Sequence, residues 1–281
     1  MPCAPAVAKM QKYGQMDNDE REYIIREIEN MRQCVHPHLV RFRESFRTEH
    51  HLCIIMDLCD GGDLSEKIRG QRDLNILFPE GTVLLWLLQL LSGVDYLHAN
   101  KMMHRDIKPA NIFLHRNAIK LGDLGLSKQV FSGVSKAGIH TQCGSPLYLA
   151  PEVHMGSEDG ACVYTKSVDV WAVGCTLFEM MMLKRAFGKQ GESKMDTLHA
   201  VIQARYGEIR GEWSAELTGL LQGMLQRAPS HRPSTTEMLQ GVLFQPMLRE
   251  DVDGIWSAAL RHQLREGREE LLARKPHLIA A

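Results

Sequence analysis

Apolar residues change their spacing along this chain, and each change marks a different element. Between Asp17 and Gln33, Ile24, Ile25, Ile28 and Met31 recur at helical spacing among charged residues, which predicts an amphipathic helix. His36-Pro37 ends it. Leu39 to Phe46 and Leu52 to Leu58 read as two strands joined by the polar turn Arg47 to His51, and Val7 to Met10 is a short apolar run around Lys9. Gly61-Gly62 marks a loop, after which the pattern turns helical: a short helix over Asp63 to Ile68, then a long one over Thr82 to His98. Its segment Val83 to Leu91 is broken only by Gln89 and is too short to span a bilayer, so it predicts a buried helix rather than a membrane span. Ile112 to Leu114 and Ile119 to Leu121 read as strands around the turn His115 to Ala118. Asp123 to Glu152 shows no period and reads as a long loop, a length that implies function. Helices are predicted over Val168 to Met182, Lys194 to Arg205, Glu216 to Leu225 and Ser234 to Leu239, the last opened by a capping box of Ser234 and Glu237. In Asp251 to Ala281, Trp256, Leu260 and Leu264 are spaced for a final helix, packed on the domain or docking a partner.

Composition changes this picture little. The 281 residues are 44% hydrophobic and 24% charged, ordinary for a globular protein. The formal net charge of −1 gives no global attraction for nucleic acid or an anionic membrane, which leaves room only for a local basic patch. The N-terminus carries no signal-peptide pattern. The 7 cysteines, Cys3, Cys34, Cys53, Cys59, Cys143, Cys162 and Cys175, form no C-x-x-C pair and are odd in number. They argue for reduced thiols in a cytosolic or nuclear setting rather than a disulfide framework or zinc site. His36, His38, His50 and His51 lack the remaining ligands of a tetrahedral metal site.

The chemistry concentrates in His104-Arg105-Asp106-Ile107-Lys108-Pro109-Ala110-Asn111, which fits the pattern H-R-D-x-x-x-x-N at every fixed position. Phosphoryl transfer asks a protein mainly for positioning and charge neutralisation. Asp106 supplies a carboxylate to orient a hydroxyl and take its proton, and Lys108 an ammonium to offset phosphate charge. Asn111 supplies a neutral oxygen for Mg²⁺. Asp123-Leu124-Gly125 follows the strand pair where a second, anionic Mg²⁺ ligand is needed, with Gly125 permitting a sharp turn and Leu124 in a hydrophobic packing position. Ala150-Pro151-Glu152 closes the long loop, and Asp169-x-Trp171-x-x-Gly174 and His231-Arg232-Pro233 follow.

With these motifs in order, the chain from about residue 6 to residue 245 resembles the eukaryotic protein kinases. Lys108 and Gly144-Ser145-Pro146 look like the serine/threonine branch. Phe42-Arg43-Glu44-Ser45-Phe46, Met56-Asp57-Leu58-Cys59-Asp60-Gly61-Gly62-Asp63-Leu64, Leu121-Gly122-Asp123-Leu124-Gly125-Leu126 and Leu183-Lys184-Arg185-Ala186-Phe187 are similar to NIMA-related kinases. The resemblance implies an α+β, bilobal fold: a small β-rich N-lobe over residues 1–57, a mainly helical C-lobe over 58–247 and a tail over 248–281. It implies transfer of the γ-phosphate of ATP, with Mg²⁺, to Ser or Thr of protein substrates. It places Lys9 and Glu27 as an ion pair holding the α- and β-phosphates, and Met56 as the residue gating the adenine pocket. The backbone from Asp57 to Cys59 would hydrogen-bond adenine, Cys59 being a small apolar residue there. Glu152 would pair with Arg232, Asp169 would steady the catalytic loop, and Ser145 would contact Asp106 and Lys108. Thr141, with Ser132 and Ser135 behind it, would be phosphorylated by an upstream kinase or by the chain itself, its phosphate pairing with Arg105 and Lys128. The resemblance also implies a cytoplasmic location, with cytoskeletal, centrosomal or nuclear work as variants. A G-x-G-x-x-G loop is expected ahead of Lys9, but no residue before Lys9 is glycine and Gly14 is the first one. On that departure rests the alternative expectation, a catalytically impaired pseudokinase or scaffold whose first strands are missing and whose strand around Lys9 forms a sheet edge.

Overall fold

Charged residues alternating with apolar ones at Asp17–Gln33 become a helix whose start is fixed chemically. In the computed structural model of the chain, which describes residues 5–115, 118–123, 128–129, 135–137, 145–156, 162–188 and 191–245, α1 (Asn18–Gln33) opens on Asp17. The Asp17 carboxylate accepts the Glu20 amide and the Glu20 carboxylate accepts the Asp17 amide, so two otherwise orphaned N–H groups are satisfied. Ile24, Glu27, Ile28 and Met31 form its buried stripe, whereas Ile25 is 47% exposed, one position off the seam. The expected tail helix over 251–281, and Ser132, Thr141, Leu124 and Gly125, lie outside the described residues.

α1 covers a three-stranded antiparallel sheet ordered β1-β3-β2 from β1 (Ala6–Gln11), β2 (Phe42–Arg47) and β3 (Leu52–Asp57). The register sets Lys9 opposite Ile54 and Phe46 opposite Cys53. β1 is an edge of this sheet, with Val7 and Met10 exposed. β2 begins at Phe42 rather than at Leu39. Leu39 bridges instead to Leu121; the Val40 amide donates to the Leu121 carbonyl at 2.9 Å and the Leu121 amide to the His38 carbonyl at 2.9 Å. The segment read as the start of a strand thus stitches the sheet lobe to a hairpin of the helical lobe.

That hairpin is β5 (Ile112–His115) with β6 (Ala118–Leu121), preceded by α2 (Leu64–Leu74), α3 (Glu80–Ala99) and β4 (Met102–Met103). α2 opens on a capping box of Asp63 and Glu66 and runs past Ile68 to a left-handed cap at Asn75, φ 55°. α3 is long and apolar enough to cross a membrane by length and composition, yet it is buried from several sides as the central core helix. The polar residue inside its most apolar stretch, Val83 to Leu91, has a purpose: Gln89 Oε1 accepts the Ile119 amide at 2.9 Å, a backbone group of β6 facing the core.

β7 (Lys128–Gln129) pairs with β4, and β8 (Ser135–Ala137) with β9 (Cys162–Tyr164), so short strands occur inside the stretch read as loop. The remaining helices are α4 (Pro151–Met155), α5 (Lys166–Met182), α6 (Lys194–Ile202), α7 (Ala215–Met224) and α8 (Thr235–Gln240). α6 stops short of Arg205 because the chain turns at Ala204, φ 51°. α8 carries the predicted Ser234–Glu237 capping box. The expected architecture, a small sheet lobe on a mainly helical lobe, is the one observed, and the predicted catalytic segment runs from β4 to β5 at their junction.

Candidate active site

Residues 104–111 hold their shape through groups outside the segment. Asp169, near the start of α5, is 1% exposed. Its Oδ1 accepts the Arg105 amide at 2.9 Å and its Oδ2 accepts the His104 amide at 3.0 Å, with His98 Nε2 at 2.8 Å. Burial opposes its charge, but the hydrogen bond and charge of His98, with the Arg105 amide, outweigh it and hold the carboxyl below the usual range. Arg105 takes a left-handed backbone, φ 71°, so both amides reach one carboxylate. His98 is a partner the sequence reading missed; the only signal was a polar side chain near the end of an apolar helix.

His104 fixes the next step. Its Nδ1 accepts the Asp106 amide at 3.3 Å, so the proton sits on Nε2 and is donated to the Gly122 carbonyl at 2.9 Å. Burial lowers its pKa and keeps the ring neutral. The Gly122 amide donates to the Asn111 carbonyl at 2.9 Å. A Cβ on Gly122 would stand 2.7 Å from Phe113 Cε2, so only glycine fits here. The catalytic segment and Asp123 are thereby locked to one another.

Asp106, 8% exposed, is held by both oxygens. Oδ2 accepts from Lys108 Nζ at 2.7 Å and Asn111 Nδ2 at 2.8 Å. Oδ1 accepts from the Ser145 amide at 3.0 Å and the Ser145 hydroxyl at 3.1 Å. Lys108 also donates to Ser145 Oγ at 2.7 Å, so Ser145 makes the contacts its sequence position suggested. Asn111 spends its amide nitrogen on Asp106, which leaves Oδ1 as its acceptor.

Asp123, φ 55°, accepts from Lys9 Nζ at 2.7 Å. Here the structure corrects one expectation: Lys9 pairs with Asp123, not with Glu27. Glu27 lies in the same electrostatic cluster, but among the described residues its buried Oε1 has no hydrogen-bond partner. The two carboxyls also differ in ionisation. Burial pushes the Glu27 carboxyl up to about 7 although Lys9 pulls it down. For Asp123 burial also acts upward, but the Lys9 hydrogen bond and charge more than offset it and keep the carboxylate charged. The Lys9–Asp123 hydrogen bond is therefore a charge-assisted one.

This cost has a pH signature. An unfolded Glu27 ionises near 4.5, while the folded one keeps its proton to about 7. Its contribution to stability therefore falls as pH rises through that window and levels off above it. In melting curves recorded across the window, Glu27→Gln should flatten the decline and melt higher than the parent at its alkaline end. Parallel curves for the two proteins would contradict the assignment.

Met56 lies partly buried on β3 against the core. The Asp57 side chain accepts from Arg43 Nε at 2.7 Å and its amide donates to the Arg41 carbonyl at 2.9 Å. The Leu58 amide donates to the Pro5 carbonyl at 3.4 Å. Among the described residues the Cys59 amide has no partner, so of the amides of Asp57, Leu58 and Cys59 it is the one open to adenine. The Cys59 thiol, pushed up by burial, is a neutral lining group. No cluster of at least three His, Cys, Asp or Glu that could hold a metal occurs among the described residues. The donor set of Asp123 carboxylate and Asn111 carbonyl instead suits Mg²⁺, which takes few protein oxygens and fills its shell with phosphate and water.

Residues 3–244 match the protein kinase domain family. The chain is 39% identical over 205 residues to serine/threonine-protein kinase Nek3 of Mus musculus, covering 73% of this chain and 38% of that protein. It is 33% identical over 236 residues to serine/threonine-protein kinase Nek11 of Homo sapiens, covering 83% and 35%. Against putative serine/threonine-protein kinase A of Trypanosoma brucei brucei it is 35% identical over 237 residues, covering 83% and 53%. The chain thus spans between about a third and about half the length of these curated relatives.

Proposed function

The chain belongs to the protein kinase domain family and resembles its NIMA-related serine/threonine branch, and on that premise we propose that it transfers the γ-phosphate of ATP to Ser or Thr hydroxyls of proteins. One observation carries the reading: an Asp106 carboxylate fixed through both oxygens by Lys108, Asn111 and Ser145, and tied through Asn111 and Gly122 to Asp123. ATP with Mg²⁺ supplies the phosphoryl group and neutralises its charge. Asp106 orients the acceptor hydroxyl and takes its proton. Lys108 and Ser145 hold Asp106 in one rotamer. With ATP and Mg²⁺ bound, Asn111 Oδ1 and Asp123 would hold the metal, Lys9 the phosphates, and the Cys59 amide the adenine edge, with Met56 at the back of that pocket. The alternative of a scaffold without turnover gains no support from this convergence.

The direct test is transfer of label from γ-labelled ATP to a generic protein substrate, read as phosphoserine and phosphothreonine. No incorporation with ATP and Mg²⁺ present would refute the reading. Binding has its own check. ATP with Mg²⁺ should raise the melting temperature, since a ligand of the native state stabilises it. Asp123→Asn should lose the increment that depends on Mg²⁺; an undiminished increment would remove Asp123 from the metal site.

The reading includes regulation by phosphorylation at Thr141, through an upstream kinase or the chain itself, because Arg105 adjoins Asp106 and offers a cation to a phosphate. Thr141→Ala should slow transfer; an unchanged rate in protein first incubated with ATP ends that part. It includes the lobe division at residue 57, with a tail after 247, and a cytoplasmic location. The free thiols Cys34, Cys53, Cys59 and Cys175 suit a reducing compartment, and imaging of the tagged protein tests the location.

A further inference from the structure

A cleft of about 770 Å³ opens between α2 and the end of α5. Its lining carries Arg69 and Arg72 from α2 and Lys184 and Arg185 from just beyond α5, against one carboxylate, Glu179. All four basic residues are exposed. Among the described residues the ion pair that any of them makes is Arg72 with Asp73, at 3.9 Å on an equally open surface. In a chain of net charge −1, such a local excess of cations is not a by-product of composition.

Glu179 does not reverse the sign of the cleft. The Tyr148 hydroxyl donates to its Oε2 at 2.6 Å. Burial pushes its carboxyl up, with the Tyr148 hydrogen bond, Arg185 and Arg72 pulling the other way. It is an internal brace rather than a free anion offered to a cationic ligand.

The same brace ties the cleft to the reacting atoms. The Tyr148 amide donates to the Ser145 carbonyl at 2.9 Å, and the Ser145 hydroxyl donates to Asp106. Gly188, on the cleft wall, has φ 77° and lies so near Leu147 that a Cβ there would stand 3.1 Å from Leu147 Cδ2. One wall of the cleft is therefore backed by the turn that carries Ser145. The chain of contacts from Asp106 through Ser145 and Leu147 to Gly188 thus puts the cleft beside the place an acceptor hydroxyl would take, within reach of the residues that flank it.

We propose that this cleft selects the substrate by taking an acidic segment, Asp, Glu or phosphoserine, lying within a few residues of the acceptor. Guanidinium groups pair with carboxylates and phosphates through charge-assisted, often bidentate hydrogen bonds, and arginine clusters are a recurring way to read acidic motifs. Because these side chains are exposed, the attraction weakens with salt. The inference rests on the phosphotransfer reading above and names its substrate class.

The test uses the full chain and fluorescein-labelled peptides with alanine at the acceptor position, in three compositions: Asp/Glu-rich, phosphoserine-bearing and Lys/Arg-rich. Anisotropy should show both acidic peptides binding roughly tenfold or more tighter than the basic one, a difference of about 1.4 kcal/mol. The preference should shrink at high salt and vanish in Arg72→Glu/Arg185→Glu. Tighter binding of the phosphoserine peptide would name a previously phosphorylated substrate and parity an Asp/Glu-rich one; both support the proposal. Equal affinity for acidic and basic peptides, or an unchanged preference in the charge-reversed variant, overturns it. Should that variant melt well below the parent, Arg69→Gln/Lys184→Gln gives the same reading with a milder change. Serine versions of the peptides, assayed for label transfer, separate the two claims. Acidic binding without transfer to any peptide refutes the transferase reading and keeps the cleft. Transfer without acidic preference refutes the cleft and keeps the transferase.

Discussion

Asp106→Asn should lower phosphotransfer by roughly 10²–10⁴-fold, the range expected when a positioned general base is removed. The substitution keeps size and shape and deletes one property, the ability to take a proton. It is not silent in the ground state. Both oxygens of Asp106 face donors, Lys108 and Asn111 on one side and Ser145 on the other. Whichever way the new amide turns, its NH₂ meets an N–H or an ammonium, a mismatch costing about 1–3 kcal/mol. A modest fall in melting temperature should therefore accompany the fall in rate. The two are separated by asking whether ATP and Mg²⁺ still raise the melting temperature of the variant. Retained ligand stabilisation with lost transfer places the loss on the chemical step. A variant transferring phosphate at more than about a tenth of the parental rate falls outside that range and would remove Asp106 from the role of base.

What the sequence disclosed depended on how far apart the cooperating residues stand. Asp106, Lys108 and Asn111 lie within one short segment, so their spacing alone announces a shared site, and the structure keeps them in hydrogen-bond contact. Ser145 could be attached to that group because a resemblance supplied its place. Partners chosen by the tertiary structure were less legible. Nothing local to His98 says that it will meet Asp169, and Leu39 reads as a strand residue until the hairpin ending at Leu121 draws it away. The Lys9–Glu27 expectation failed for a further reason. Glu27 and Asp123 share one electrostatic cluster with Lys9, and which of them the ammonium reaches is set by where the tertiary structure places them, which no sequence pattern encodes. Helix ends were misjudged where a residue other than glycine adopts a left-handed backbone, at Asn75 and Ala204.

Glu152→Gln should destabilise the fold by about 3–5 kcal/mol, as breaking one side of a buried pair does. The sequence predicted the pairing of Glu152 with Arg232, and the geometry explains why it tolerates little change. Arg232 Nη1 and Nη2 reach Glu152 Oε1 and Oε2 at 2.7 and 2.8 Å, a bidentate fork with the guanidinium fully buried. The other donors go to the carbonyls of Gln226, Ser167 and Arg227, and the guanidinium carbon lies 4.9 Å over the Trp171 ring. Three separate segments, α4, the start of α5 and the loop before α8, thus converge on one cation. The amide that replaces the carboxylate would keep one acceptor, leaving the charge uncompensated and one N–H facing an NH₂ group. For a domain of this size the loss corresponds to roughly 6–20 °C in melting temperature, readable by calorimetry or denaturant titration. The substitution Arg232→Met in the Glu152→Gln background should recover part of the loss, because the buried positive charge then disappears with its partner. If the single variant lost under about 1 kcal/mol, the value typical of solvent-exposed pairs, the pair would not be the clamp that joins these segments. Phosphotransfer should fall with it, because Asp169, which holds the His104 and Arg105 amides, stands on α5 just after Ser167.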